Sequence, residues 1–329
     1  MQNSSQGFGF SLPPVQVMRP LNDKAIIVQV LISLFLYIDL LMIFTFFRKE
    51  AFHAITRYIF FAHTLICDCT FLIISDILLL LSYSRIVMPT SLCVPICAIL
   101  VNLNIATPLT LTAMSMERYV SICMPLRHSE LSTPQHAAHG ILVIQALASV
   151  LMLVMLFSLA AVMPLDFFLS HRVCSLETLQ VHTWQKDLTN AVSQLYFLLM
   201  ALVICFCYVK IMGVARAASG ADRSSLNKGL RTVILHALQL LLSLIQLWCP
   251  FMEMAVLQID LHMFITLRYF DYVVFILAPR CLVPLVYGLR DESFMAALKH
   301  YAVFGCHNKT APMKKDKKNP RRGSQRLQT

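Results

Sequence analysis

Charged and polar side chains interrupt four long apolar stretches of the chain at similar depths. They are Asp39, Asp68, Thr107 and Arg280. At 1.5 Å per helical residue, each lies roughly 13–16 Å from the inner end of its stretch. Because charges in an apolar medium usually face each other or water, we expect Arg280 to pair with Asp68. Asp39 then either shares the arginine or is protonated. The alternative is an unpaired Arg280 that reaches a wet cavity.

A second charged group closes the third apolar stretch, where Glu117, Arg118 and Tyr119 follow one another. The acid and the arginine therefore lie where membrane gives way to water. They either mark the end of a helix or form a pair that can open and close.

Cysteines at the outer end of the third stretch could form a disulfide. Cys93 and Cys97 lie there, and Cys174 lies in a long outer loop, all in an oxidising compartment where disulfides persist. Cys93 and Cys97 compete for Cys174. The histidines and cysteines show no metal-ligand spacing, and no nucleophile–base pair can be inferred. We expect no metal, no cofactor and no enzyme activity.

The composition is that of a membrane protein. Of 329 residues, 58% are apolar and 13% charged, against about 45–50% and about 25% in soluble proteins. The charges are excluded from windows long enough to span a bilayer. A soluble protein could hide some apolar helices, but not seven in succession.

The distribution of basic residues orients the chain. The net charge is +10, yet 20 of the 27 Lys and Arg residues fall on one side of the predicted topology, six on the other and one within the membrane. This asymmetry follows the positive-inside rule and places the N-terminus outside. It argues against nucleic acid as a partner. We predict a multi-pass plasma-membrane protein with the lipid bilayer as a partner.

The apolar periodicity predicts an all-α membrane protein, a bundle of seven transmembrane helices with a short amphipathic eighth helix. The predicted spans are 25–47, 58–82, 92–123, 137–163, 188–212, 230–257 and 263–289. Residues 1–24 form the extracellular N-terminus and residues 25–290 the membrane domain. Residues 291–304 form an inner-leaflet helix, and residues 305–329 a basic, disordered cytosolic tail. Asn3 begins a glycosylation sequon, and Cys306 is a palmitoylation candidate.

Residues 114–128 read MSMERYVSICMPLRH, which resembles the third-helix signature of rhodopsin-like, class A G-protein-coupled receptors. The wording is closer still to odorant receptors of the fish and amphibian type. The 25-residue spacing from Cys93 to Arg118 is similar to that family's, and implies the disulfide Cys93–Cys174. The resemblance also implies that Glu117 restrains Arg118 at rest, and that the loop after Tyr119 contacts the G protein.

Two further motifs carry the resemblance. Leu247-Trp248-Cys249-Pro250 resembles the helix-6 motif in which Pro250 kinks the helix and Trp248 senses the cavity; a lipid-facing tryptophan is the alternative. The stretch from Pro284 to Tyr287 resembles the end of the helix-7 motif. By resemblance, Tyr208 on helix 5 meets Tyr287 through water on activation.

The chain departs from the family pattern in informative places. Val283 stands where helix 7 usually has asparagine. Residues 228–231 read KGLR, basic where many relatives carry an acid that clamps the arginine of helix 3. By resemblance, Asp68 stands at a site that usually holds a sodium ion, and we expect Arg280 to replace that ion.

The ligand site is expected in the outer half of the bundle. The candidate residues lie on helices 3, 6 and 7 and are mostly apolar. They are Leu100, Val101, Asn104, Phe251, Met252, Ala255, Val273 and Leu277. Each could equally serve packing. The absence of an acid near Leu100 argues against a biogenic amine.

The resemblance implies an odorant receptor that binds a small molecule and activates a heterotrimeric G protein of the stimulatory, olfactory type. A receptor oligomer is left open. One alternative is a non-olfactory class A receptor for a lipid or peptide. Another is an ion- or proton-coupled transporter that uses Asp39, Asp68 and Arg280.

Overall fold

The computed structural model describes residues 23–217 without interruption. Beyond them it describes 230, 233–235, 237–242, 245, 248–249, 252–253, 255–256, 258–282, 294–298 and 300. Several residues singled out by the sequence lie outside this part of the chain. They are Asn3, Pro250, Phe251, Val283, Pro284, Tyr287 and Cys306.

The described chain is almost entirely helical. Its α-helices are α1 (Asp23–Arg48), α2 (Thr56–Tyr83), α3 (Thr90–Cys123), α4 (Pro125–Leu131), α5 (Pro134–Val162), α6 (Leu165–Leu169), α7 (Thr183–Ala217) and α8 (Leu261–Asp271). A π-helical segment, Tyr272–Leu277, continues α8, and helix resumes to residue 282. The described residues between 230 and 256 are helical. Short 3₁₀ turns cover Glu50–Phe52 and Leu176–Leu179.

Within the described residues, five helices are long and apolar enough to cross a membrane, namely α1, α2, α3, α5 and α7. Their outward faces carry large exposed side chains such as Leu34, Phe157 and Leu202. A membrane-spanning segment must satisfy its backbone hydrogen bonds internally, which a helix does. The exposed apolar faces are therefore the surfaces that lipid would cover.

The ends of these helices follow from local chemistry. Thr133 accepts a hydrogen bond from the His136 N–H, and Pro134 occupies the first turn of α5. Asp260 accepts from the His262 N–H in the same way at the start of α8. These caps satisfy N–H groups that a helix start leaves without intrahelical partners.

The helix α7 begins at Thr183, earlier than the predicted position 188, and ends at Ala217 rather than position 212. In its polar first turn Gln185 is buried; it accepts from the His182 N–H at 2.9 Å and donates to the Ser158 carbonyl of α5 at 3.0 Å. Apolar windows alone miss such a turn.

The centre of the bundle is α3, which packs against α2, α5 and α7. It continues through two internal prolines, Pro95 and Pro108. Each proline removes one backbone N–H donor, so the turn before it loses a hydrogen bond. Thr112 donates to the Pro108 carbonyl at 2.9 Å.

A chain of polar side chains joins α2, α3 and α5 inside the bundle. Gln145 contacts His63 Nε2 at 2.9 Å and accepts from the Asn102 amide at 3.0 Å. His63 Nδ1 contacts the Thr110 hydroxyl at 3.2 Å, and Ser149 donates to Asn102 at 3.4 Å. Hydrogen bonds of this kind bind helices together in lipid, where packing has no hydrophobic driving force.

The outer end carries a small antiparallel sheet that the all-α prediction did not include. Strand β1 (Val87–Pro89) pairs with β2 (His171–Val173), with Val87 opposite Val173. The Thr90 hydroxyl and backbone N–H both donate to the Ser170 carbonyl at 2.9 Å. The long outer loop is thereby fixed over the start of α3.

At the inner end, Phe294 lies in an aromatic cluster with Phe52, Tyr58 and Phe61. Residues 294–298 are helical and Phe294 is fully buried. Its ring centroid is 5.3 Å from that of Phe52 and 5.6 Å from that of Phe61. The segment after the last membrane helix is therefore packed against the start of α2 and the 3₁₀ turn that connects α1 to α2.

We predict that Gln145→Leu lowers stability by roughly 1–3 kcal/mol, because His63 and Asn102 each lose a hydrogen-bond partner at a half-buried interface between helices. The measurement is thermal unfolding of the purified receptor in lipid. Gln135→Leu makes the same chemical change at an exposed position of α5 and should leave the melting temperature almost unchanged. Equal shifts in the two variants would contradict a role for the polar chain.

Candidate functional site

Arg280 and Asp68 form an ion pair in the middle of the bundle. Arg280 Nε lies 3.6 Å from Asp68 Oδ1. The two residues are 5% and 0% exposed. A charge this deep is strongly unfavourable unless it is compensated, so each residue requires the other.

Three further contacts hold the guanidinium. Nη1 donates to the Ile276 carbonyl at 2.8 Å, and Nη2 donates to the Asn104 side-chain oxygen at 3.0 Å. The guanidinium carbon lies 3.6 Å from the centre of the Phe71 ring, a cation–π contact. Arg280 is therefore fixed by α2, α3 and its own helix.

The carboxylate has partners of its own. Asp68 Oδ1 accepts a hydrogen bond from the Thr107 hydroxyl at 3.0 Å. Asp39 is also buried, and among the described residues neither its Oδ1 nor Asp68 Oδ2 has a hydrogen-bond partner. The structure brings Asp68, Thr107 and Arg280 together. In the described part of the chain Asp39 makes no ion pair with Arg280, so the expected sharing is not seen.

The local sequence explains how Arg280 comes to face the bundle. Pro279 has no N–H for the Phe275 carbonyl and would crowd it in a regular α-helix. The wider π-helical turn of Tyr272–Leu277 precedes it, closed by the Ala278 N–H on the Val273 carbonyl. One π turn shifts the register of everything that follows it.

The sixth predicted membrane helix, residues 230–257, also reaches the Arg280–Asp68 pair. The Gln239 amide donates to the Pro279 carbonyl at 3.0 Å. A small cavity separates this contact from α3; its lining residues are Asn104, Thr107, Pro108, Leu111, Gln239, Pro279 and Arg280. The cluster thus connects the second, third, sixth and seventh membrane helices.

At the inner end of α3, the Glu117 carboxylate lies between two basic side chains. Glu117 Oε2 is 3.9 Å from Arg118 Nε, and Glu117 Oε1 is 3.7 Å from His128 Nε2 on α4. The contact between Glu117 and Arg118 that the resemblance implies is present at this distance, and its role in restraining Arg118 stays a prediction. The involvement of His128 was not predicted, because the spacing between α3 and α4 does not show that the chain folds back.

The flanking tyrosines have different surroundings. The Tyr119 ring packs edge-on against Phe206 of α7, with centroids 5.4 Å apart. Tyr208 is half-buried and packs against the core of the bundle. Its expected partner Tyr287 lies outside the described residues.

Trp248 is 54% exposed, as a lipid-facing tryptophan would be. The cavity-sensing role of Trp248 stays a prediction. Spacing along helix 6 gives the residues that share a face, but not the direction in which the face points.

The described members of the predicted ligand set lie in different surroundings. Asn104 binds Arg280, and Leu277 is buried against Val28 and Ile32 of α1. Met252 and Ala255 are exposed. Leu277 is the last residue of the π-helical segment, and its place in the ligand site stays a prediction.

The remaining ligand candidates keep positions compatible with the outer half of the bundle. Leu100 is buried, whereas Val101 and Val273 are half-buried. Leu100 and Val101 pack in the main core, and Val273 packs beside Leu277. Phe251 lies outside the described part of the chain.

The disulfide joins Cys93 of α3 to Cys174 of the outer loop, with Cα atoms 5.5 Å apart. This is the pairing that the resemblance implied. Cys97, the competitor one turn deeper, remains a buried free thiol.

We predict that Arg280→Ala and Asp68→Ala each destabilise the receptor by roughly 3–5 kcal/mol, since each leaves an uncompensated buried charge. The double variant should lose much less stability than the sum of the two single losses, because both buried charges are removed together. Thermal unfolding and surface expression provide the measurement.

Asp76→Ala is the matched control for this cycle. Asp76 is a carboxylate on the same helix, hydrogen-bonded to Gln29 of α1 instead. When Asp76→Ala is combined with Arg280→Ala, the loss of stability should equal the sum of the two single losses. Additive losses for the Arg280 and Asp68 pair would contradict the ion pair.

Comparison with known proteins agrees with this architecture. Residues 39–287 match the family model of the 7 transmembrane receptor (rhodopsin family). The chain is 39% identical to Odorant receptor 131-2 of Danio rerio over 305 residues, 93% of this chain and 92% of the relative. It is 26% identical to Galanin receptor type 1 of Mus musculus over 215 residues, 60% of this chain and 56% of that receptor.

These matches confirm the seven-helix membrane fold that the apolar periodicity predicted, including the spans that the structure describes only in part. Ligand binding and coupling to a G protein follow from the family, as does a multi-pass position in the plasma membrane. The protein is a receptor, not an enzyme. The chain belongs to the rhodopsin family of G-protein-coupled receptors and is a homologue of odorant receptors.

Proposed function

We propose that this receptor binds a small, largely apolar odorant in the outer half of its bundle and activates a heterotrimeric G protein of the stimulatory, olfactory type. The observation that carries the proposal is the 39% identity to an odorant receptor of Danio rerio across 93% of the chain. The aligned region includes all the predicted membrane spans, so the similarity extends over both the outer half and the cytosolic face of the bundle.

The outer half of α3 supports an apolar ligand. Leu100 is buried and Val101 half-buried in a mainly apolar core. In the described part of α3 there is no charged side chain between Thr90 and Glu117. A ligand amine would therefore find no carboxylate on this helix, which favours recognition by shape and apolar contact.

The cytosolic end supports coupling to a G protein. Arg118 is partly exposed, and among the described residues its side chain makes one long contact, to Glu117. Glu117 is shared with His128 of α4. A contact network with two discrete arrangements can respond to a ligand that favours one of them. The G protein would bind the released Arg118 and the adjoining helix α4.

The proposed topology places the N-terminus outside the cell, with Asn3 glycosylated, and the disulfide in the extracellular space. The basic residues concentrated on the opposite side favour this orientation. Anionic lipid on the inner leaflet would attract the basic tail.

The proposal is tested by screening an odorant panel against receptor-expressing cells with a cyclic-nucleotide readout. We expect at least one small volatile or water-borne compound to raise the cyclic nucleotide in a saturable manner. A response to a peptide or lipid alone, with none to the odorant panel, would favour the non-olfactory alternative.

We predict that Leu126→Ala reduces agonist-driven nucleotide exchange on the G protein by about tenfold, the loss of about 1.4 kcal/mol of apolar contact. Leu126 is 92% exposed on α4, so the substitution removes a docking contact without opening the core.

Leu165→Ala is the control, because Leu165 is a comparably exposed leucine on α6 at the outer face. It should leave nucleotide exchange unchanged. Normal exchange in the Leu126 variant at matched surface expression would remove α4 from the docking surface.

A further inference from the structure

A third sulfur lies against the disulfide at the outer end of α3. Cys97 Sγ is 3.7 Å from Cys174 Sγ and 3.8 Å from Cys93 Sγ, close to van der Waals contact with both. Cys97 is fully buried, and its thiol donates to the Ser175 carbonyl at 3.4 Å. The receptor function proposed above makes no use of this thiol.

We propose that Cys93, Cys97 and Cys174 form a thiol–disulfide exchange site, through which the outer loop can be attached to either of two successive turns of α3. The Cys97 thiolate attacks Cys174 Sγ, so that the Cys97–Cys174 bond forms and the Cys93–Cys174 bond breaks. Cys93 leaves as the thiolate and takes up the proton that Cys97 released. One disulfide and one thiol are present before and after, so no oxidant or reductant is consumed.

Helix geometry selects this product over a Cys93–Cys97 bond. Residues four apart on a helix have Cβ atoms about 5–6 Å apart. A disulfide requires Cβ atoms about 3.5–4.5 Å apart. The exchange therefore keeps the loop tethered to α3 and changes only the turn to which it is tethered.

The outer sheet stabilises the resting isomer. Cys174 directly follows β2, and Val173 of β2 pairs with Val87 of β1. Ser170 is held by Thr90 at the start of α3. Moving Cys174 inward strains these contacts. In addition, Cys97 Sγ is nearly equidistant from the two disulfide sulfurs. It therefore lies beside the S–S bond and not on the extension of that bond. A side-chain rotation must therefore precede the attack.

The product isomer moves the anchor of the loop by four helical residues, about 6 Å along α3 toward the membrane. The loop would then lie deeper in the mouth of the bundle. If the outer half holds the odorant, the exchange adjusts the entrance to that site; this consequence alone rests on the proposed function.

The test uses the full-length receptor in lipid nanodiscs. The receptor is incubated without added thiol, quenched in acid, alkylated under denaturing conditions and mapped by peptide mass spectrometry. We expect alkylated Cys93 to appear in the amount by which alkylated Cys97 declines. The Cys97→Ser variant should never show alkylated Cys93.

A second measurement tests the product bond directly. Cys93→Ser should yield a Cys97–Cys174 disulfide and reach the cell surface, whereas Cys93→Ser combined with Cys97→Ser should leave Cys174 alkylated. The proposal requires both results. Alkylation of Cys97 alone in the wild-type receptor, or alkylation of both Cys97 and Cys174 in the Cys93→Ser variant, overturns it. Because neither measurement uses a ligand, exchange without any odorant response would contradict the proposed function alone.

Discussion

The buried guanidinium of Arg280 needs partners from several helices, and this requirement constrains the whole bundle. Arg280 is withdrawn from solvent and has Asp68, Asn104 and the Phe71 ring as its surroundings. A charge in this position is tolerated only while its partners stay in place. The helices α2 and α3 and the helix that carries Arg280 therefore cannot separate independently. A bundle tied in this way rearranges between discrete packings instead of deforming gradually.

The helix α3 carries that constraint to both faces of the membrane. Its outer end holds the disulfide to the loop, its middle contributes Asn104 and Thr107, and its inner end carries Glu117 and Arg118. About 16 Å of helix separates Thr107 from Arg118. An outer ligand that repacks the middle of α3 would therefore alter the restraint on Arg118 through a single rigid element.

Much of this arrangement follows from the sequence because it depends on depth. Asp68, Thr107 and Arg280 were grouped by counting residues from the ends of apolar spans, and the structure brings these three together. Depth does not give rotation about a helix axis. Depth alone therefore does not show that Asn104, predicted in the ligand site, binds Arg280, or that Trp248, predicted to sense the cavity, is exposed.

Other features depend on contacts between distant segments, which a single sequence does not show. The His63–Gln145 contact joins two helices through residues that look unremarkable in isolation. The return of α4 that brings His128 to Glu117, and the pairing of β1 with β2, are of the same kind. The π-helical segment before Pro279 had a local signal, the proline itself, but its position was fixed only by packing.

We propose that Arg280 serves as a built-in cation beside Asp68, at the position where the family resemblance implies a sodium ion. An ion that binds only the folded state raises its stability in proportion to the logarithm of the ion concentration, once the site is being filled. The direct measurement is thermal unfolding of the purified wild-type receptor in sodium chloride and in potassium chloride at equal ionic strength, over a series of concentrations. The account predicts identical melting temperatures in the two salts, and a rise specific to sodium would contradict it.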